Sequence, residues 1–199
     1  LTLAHAKTYF DIAQYGDIVN VLHTSRTIDD LVAKKLRAPQ AATQSFDDDP
    51  LRMMRGARFA SQLGFDFEPK TFEAMTEMAS RIEIISAERV QAEFTKLMLG
   101  KHPRLGLEAL VDSGLAEFVM PELPALKLEV DEHHHHKDVY EHTLRVVEQA
   151  ISYESDYGLE GDFVLRFAAL LHDIGKPATR RLETGGGVTF HQHDLVGAR

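Results

Sequence analysis

The chain has 199 residues, 44% hydrophobic and 27% charged, a balance that excludes a disordered segment and leaves room for one large domain or two small ones. Cysteine is absent, which excludes disulfides and cysteine-ligated zinc, so any metal must be held by His, Asp or Glu. The formal net charge of −9 excludes the broadly basic surface of a typical nucleic-acid binder, so RNA contact would fall to local arginine clusters or to sequence outside this stretch.

Helical signals dominate and β patterns are few, so the expected fold class is all-α. Residues 1–45 are the least readable. A short helix fits Asp29 to Lys35, ended by Arg37-Ala38-Pro39, because the residue before proline avoids the α region. Asp47-Asp48-Asp49-Pro50 reads as a helix start, a carboxylate cap followed by proline in the first turn, with the helix running to Leu63 and stopping at Gly64. Met53, Met54, Ala57, Ala60 and Leu63 share one side of it, and Arg52, Arg55 and Arg58 cluster on the other. Further helices are expected from Pro69 to about Arg81, from Ser86 through Lys96-Leu97-Met98 to Gly100, and from Pro103 to Ser113. Met120-Pro121-Glu122-Leu123-Pro124 reads as a linker, which places a domain boundary near 120–132.

Beyond that boundary, Asp138 to about Tyr153 forms an amphipathic helix that buries Val139, Tyr140, Thr143, Val146, Val147 and Ala150, with His142 at the rim. Phe163 to Asp173 is apolar on nearly all sides and is expected to be a buried helix, stopped by Ile174-Gly175-Lys176-Pro177. Gly185-Gly186-Gly187 is a turn that fits between two short strands. There is no internal repeat.

His142 is followed thirty residues later by His172-Asp173, then by Gly175 and Lys176. A carboxylate at the end of an apolar helix costs several kcal/mol to desolvate unless it is compensated. Two readings fit: a divalent cation shared with His142, or a hydrogen-bonded pair that merely ends the helix. Imidazole plus carboxylate suits Zn, Mn, Ni or Co better than Mg. Lys176 is placed to hold a phosphate oxygen. Leu170-Leu171-His172-Asp173-Ile174-Gly175-Lys176 resembles the hallmark of the HD phosphohydrolase superfamily. That resemblance implies metal-dependent phosphoester hydrolysis, with His142, His172 and Asp173 as ligands. It also points to His193, which precedes Gly197 much as a later histidine precedes a glycine in two-metal members. Their last aspartate falls well downstream, beyond Arg199. His191 is either a further candidate for that site or a surface-loop histidine, and the run His133 to His136 is either a polar loop entering the helix or lines the mouth of the site.

The stretch Phe46-Asp47-Asp48-Asp49-Pro50-Leu51-Arg52-Met53-Met54-Arg55 is, on its own terms, a capped helix with an arginine face that is either solvated or used on phosphates and bases. It also resembles the neck motif of the class II CCA-adding and poly(A) polymerase family, Glu/Asp-Asp-x-x-Arg, at Asp48, Asp49 and Arg52. Ser86-Ala87-Glu88-Arg89-Val90-Gln91-Ala92-Glu93 resembles the later neck motif at Glu88, Arg89 and Glu93. The resemblance covers about residues 45–199. It implies a remnant of a preceding head or linker over 1–45, a neck and body over 46–125, and an HD domain over 132–199. It further implies CCA addition to tRNA, with CTP and ATP read by Asp48, Asp49, Arg52, Arg55, Arg58, Glu88 and Arg89. Mg belongs to a polymerase head whose Gly-Ser-x-x-Arg-Asp and Asp-x-Asp signatures are not found between Leu1 and Arg199, so the chain reads as a fragment. A stand-alone HD phosphohydrolase and a non-catalytic tRNA-binding piece are the rival readings. No apolar run approaches the ~20 residues of a membrane span and no signal peptide opens the chain, so the expected location is cytoplasmic.

Overall fold

The computed structural model describes residues 26–127, 139–159, 161–184 and 187–199. The described chain is all-α, with two minimal strand pairs. α1 (Arg26–Val32) leads into β1 (Lys35–Leu36), and α2 (Ala42–Asp48) is followed by α3 (Leu51–Leu63). β2 (Asp66–Phe67) pairs in parallel with β1, Lys35 opposite Asp66 and Leu36 opposite Phe67. α4 (Pro69–Glu77), a 3-10 helix (Ala79–Ile84), α5 (Ala87–Met98) and α6 (Pro103–Asp112) complete the body's long elements. Two one-turn helices follow, α7 (Ala116–Val119) and α8 (Glu122–Ala125). The remainder holds α9 (Val139–Tyr157), α10 (Phe163–Leu171), α11 (Lys176–Thr179), the antiparallel pair β3 (Arg181–Leu182) and β4 (Val188–Thr189), and α12 (His193–Gly197).

The aspartate run does not open one helix. It closes α2, where none was expected, and Asp49 joins the two helices: its carboxylate accepts the Leu51 amide at 3.3 Å, so a capping role survives one residue before Pro50. α3 ends as expected at Gly64, whose φ of +67° is left-handed backbone that glycine adopts without strain. α3 packs between α5 and α6. Met53, Met54, Leu97, Met98, Leu107 and Leu110 are buried at this junction. Each fully buried Leu or Met contributes on the order of 1.5–3 kcal/mol relative to exposure.

Three expectations are corrected. The segment around Met120 to Pro124 is not a bare linker, because α7 and α8 run through it and Leu123 and Leu126 are fully buried. The proline pair fits because Pro121 occupies the cap position of α8 and Pro124 lies in its first turn, where an N–H would have no intrahelical acceptor. The helix from Pro69 stops at Glu77, and a 3-10 segment carries the chain to Ile84. α10 is not buried on all sides: Arg166 and Leu170 are buried, while Val164 is 74% exposed.

The core is continuous between the two halves. Val139, Tyr140, Leu144 and Val147 of α9 and Leu170 of α10 belong to the same apolar cluster as Leu123 and Leu126. The Tyr140 amide donates to the Leu126 carbonyl at 3.2 Å, so the start of α9 is fixed on the end of α8. This seam ties the first turn of α9, which carries His142, to the body.

Candidate metal centre

α9 and α10 pack against each other, and each carries part of one polar cluster. His142 projects from the first turn of α9, while His172 and Asp173 follow the last residue of α10. His142 Nε2 lies 3.4 Å from His172 Nε2 and 3.7 Å from Asp173 Oδ2, and His172 Nε2 lies 3.1 Å from the same oxygen. These three residues bring one ligand atom each within 4.8 Å of one another.

Those spacings can be tested against a metal. With metal–ligand bonds of ~2.1 Å, two ligand atoms stand roughly 3.4 Å apart in a tetrahedron and roughly 3.0 Å in an octahedral cis pair. The observed distances of 3.1, 3.4 and 3.7 Å centre on the tetrahedral value, and the shortest comes within ~0.1 Å of the octahedral one. The tautomer of His172 also fits. Its Nδ1 lies 2.7 Å from the Ala169 carbonyl, an acceptor that requires the proton on Nδ1 and leaves the Nε2 lone pair for a cation. Asp173 is 3% exposed, so its carboxylate has little water to solvate it and is compensated by its neighbours.

His193, at the start of α12, reaches the other oxygen: its Nε2 lies 3.4 Å from Asp173 Oδ1, and its Nδ1 faces the Phe190 carbonyl at 2.9 Å. Lys176 donates to Asp173 Oδ2 at 2.6 Å, with its ammonium 5.7 Å from the Phe190 ring centroid. All five residues named for this site in the sequence therefore meet around one buried carboxylate. His191 is exposed in the turn before α12, and the run His133 to His136 lies outside the described residues.

The neck residues form a second group. Asp49 Oδ1 stands 3.7 Å from Arg89 Nη2, so the two stretches that resemble neck motifs meet where α3 and α5 begin. Arg52 donates to the Ser45 carbonyl at 3.2 Å and to its hydroxyl at 2.9 Å. Asp48 accepts from Gln40 and Gln44. Glu88 sits in the first turn of α5, its carboxyl held below the usual range by its own backbone amide and by the Ser86 hydroxyl. Arg55 is half-buried. Arg58 does not share the outer face expected for the three arginines of α3: it is 5% exposed and paired with buried Glu93 at 2.8 Å.

Sequence reasoning missed the groups that hold α9 and α10 in place. Arg104 of α6 donates to Glu108 at 2.8 Å, to Glu141 at 2.6 Å and to Glu148 at 3.3 Å, bridging the body to α9 next to His142. The bond from Arg104 holds the Glu141 carboxyl below its usual range, and burial opposes this. Arg166 binds Glu154 and two backbone carbonyls of the body. The only sequence signal for it was one arginine in an otherwise apolar helix.

Residues 64–126 match the family described as the probable RNA and SrmB-binding site of polymerase A, and residues 139–199 match the HD domain. An A-adding tRNA nucleotidyltransferase of Deinococcus radiodurans is 36% identical over 156 residues, 75% of this chain and 35% of the relative. A CCA-adding enzyme of Streptococcus agalactiae is 42% identical over 118 residues, 59% of this chain and 28% of the relative. A multifunctional CCA protein of Nitrosospira multiformis is 35% identical over 170 residues, 83% of this chain and 38% of the relative. The chain thus spans between 28% and 38% of the length of these three relatives. Residues 64–126 thus carry the RNA-binding region of the polymerase A family and residues 139–199 an HD domain, and over these stretches the chain is similar to tRNA nucleotidyltransferases.

Proposed function

We propose that this chain is the neck, body and HD portion of a cytoplasmic CCA-adding tRNA nucleotidyltransferase, and that its HD domain is a metal-dependent phosphohydrolase. The observation that carries the second part is the triangle of His142 Nε2, His172 Nε2 and Asp173 Oδ2 around a buried carboxylate. Those residues, with His193, would hold divalent Ni, Mn, Zn or Co. Such an ion, when bound, supplies Lewis acidity toward a phosphoryl oxygen and acidifies a water. The chain's own groups orient the site. Ala169 and Phe190 fix which imidazole nitrogens carry protons, Asp173 faces histidines from both sides, and Lys176 brings a point charge for a phosphate oxygen.

The first part rests on the names of the relatives and on the junction of the two neck stretches at Asp49 and Arg89. On this reading tRNA, CTP and ATP are the partners. Asp48, Asp49, Arg52, Arg55, Arg58, Glu88 and Arg89 shape the nucleotide end, with buried Arg58 acting through the packing of α3 on α5. Nucleotide addition itself would need Mg and paired carboxylates in a polymerase head. Among the described residues, no helix is long and apolar enough to cross a membrane.

Hydrolysis of a model phosphodiester in the presence of Ni, Mn or Co tests the HD part. Turnover that needs an added metal and disappears in Asp173→Ala is expected. Metal-independent turnover, or turnover untouched by that substitution, would overturn it. Titration with CTP and ATP, followed by NMR shifts at Asp49, Arg52 and Arg89, tests the neck. Shifts confined to other regions would overturn the nucleotide reading.

A further inference from the structure

α10 is apolar except for Arg166, and that arginine is 5% exposed. Burying a guanidinium is costly unless its donors are satisfied. Here Nε and Nη2 grip the Glu154 carboxylate of α9 as a fork at 2.5 and 2.7 Å. Nη1 donates to the carbonyls of Met98 at 2.7 Å and Gly100 at 2.8 Å. The Met98 carbonyl ends α5, where a helix leaves its last acceptors without internal partners and carries partial negative charge, and Gly100 lies two residues beyond it. Glu154 is 4% exposed, and its Oε2 also accepts the Gly161 amide at 2.9 Å, which ties down the connection between α9 and α10. One side chain therefore joins three helices, and two of them bear the histidines and aspartate of the candidate metal centre.

We propose that Arg166 is a positioning residue for that centre: it sets the angle of α9 against α10, and of both against α5, so that His142 meets His172 and Asp173. Apolar packing along the two helices is non-directional and permits small rotations, whereas a planar fork does not. His142 lies twelve residues from Glu154, about 18 Å along a helix. A tilt of about 5° at Glu154 would move His142 by roughly 1.6 Å over that length, against the ~0.5 Å tolerance of a working ligand set. The geometric part of the proposal stands on the described contacts. Its consequence for metal binding rests on the reading given above.

The test uses this chain with Arg166→Lys, and with Arg166→Leu combined with Glu154→Leu. The double variant removes both buried charges together, so folding is retained more readily than with one charge left alone. Exposed Val164→Ala on the same helix is the control. Cooperative melting establishes the folded state. Imidazole NMR signals of His142 and His172 are then followed without metal, and Co(II) affinity is measured by competition with a chelator. Moved imidazole signals and at least tenfold weaker Co(II) binding in both Arg166 variants, with the control unchanged, are expected. Unmoved signals and unchanged affinity in a folded variant would overturn the proposal and reduce Arg166 to a folding element. If the wild-type chain binds no Co(II) yet the imidazole signals move, the metal reading fails and the positioning role stands.

Discussion

The body up to residue 127 and the HD part beyond residue 138 are held by different forces. Among the described residues, only Leu144 and Leu170 of the twelve largest fully buried side chains lie in the HD part. The body is fixed mainly by packing, whereas the HD part adds to a smaller share of the common apolar core a few directed polar bonds to the body, chiefly from Arg104 and Arg166. Apolar content alone does not predict this. α10 is the more apolar helix, yet it exposes Val164, while α3 carries three arginines and buries one of them completely enough to need Glu93. What decides burial is how many neighbours surround a helix: α3 lies between α5 and α6, whereas α10 rests on α9 and one end of α5.

The largest expected effect breaks the body. Arg58→Met leaves the Glu93 carboxylate buried, with Lys96 at 3.4 Å as a weaker, half-exposed partner. Removing one member of a buried pair typically costs about 3–5 kcal/mol. Urea unfolding should show that loss, and Arg58→Met with Glu93→Met should recover most of it. A loss below about 1 kcal/mol would mean that the pair contributes no more than a surface one.

Next in size is the metal site, where the expected loss is in binding. His172→Ala and Asp173→Ala should each weaken transition-metal affinity by more than about 100-fold, and His193→Ala by roughly 10–100-fold, the range typical of a supporting group. Elemental analysis after dialysis and chelator competition measure both. Full metal content in His172→Ala or Asp173→Ala would make the pair structural.

Gly175→Ala should then separate the two sides of Asp173. A Cβ at Gly175 would collide with the His193 carbonyl and lie 2.7 Å from the Gly197 amide, both of them backbone atoms that cannot rotate away. α12 should shift and take His193 from Asp173, while His142 and His172 stay in place. Faster amide exchange in 193–197 with an unchanged body melting temperature is expected. Unaltered exchange there would show that α12 is not seated on Gly175.

Acid should loosen the HD part through Glu154. Its bond from Arg166 holds the carboxyl below its usual value of 4.5, with burial opposing. A lowered folded pKa means that the stabilisation is complete above pH about 4.5 and is lost as pH falls from there through the lowered value. The protection factors of the α9 and α10 amides, which take out the intrinsic slowing of exchange in acid, should fall over that window. The fall should shrink in the variant carrying Leu at both Arg166 and Glu154, where on α9 the bond from Arg104 to Glu141 still responds to acid.

These contrasts also mark what the sequence could disclose. The helices from Leu51 to Leu63, from Ala87 to Met98 and from Pro103 to Asp112 were legible because apolar period and stops agreed, although the aspartate run placed the start of the first too early. The meeting of His142, His172, Asp173, Lys176 and His193 was legible because their spacing matched a known site. α2 was not, since Ala42 to Asp48 buries only Ser45 and Phe46 and carries little helical period. Arg58 and Arg166 were not, because a buried arginine is chosen by partners far along the chain: Glu93 in one case, Met98 and Gly100 in the other.

The smallest stability effect sharpens the comparison within one helix. Arg52 and Arg58 both lie on α3, but Arg52 is only half-buried and donates to the carbonyl and hydroxyl of Ser45. The Ser45 carbonyl keeps the Asp49 amide as donor at 3.3 Å if Arg52 is cut back, and only the fully buried Ser45 hydroxyl loses its Arg52 donor. Arg52→Ala should therefore cost about 1–3 kcal/mol, the range for one neutral buried group left without its partner and below the loss at Arg58. Asp49→Ala should cost about 1 kcal/mol, as the loss of a cap. If the neck reads nucleotides, these two variants should weaken CTP and ATP binding far more than folding, the reverse of Arg58→Met alone. Urea unfolding and nucleotide titration on the same samples measure both quantities. A folding loss at Arg52 as large as that at Arg58, with nucleotide binding intact, would place Arg52 among the body's structural arginines and remove it from the nucleotide site.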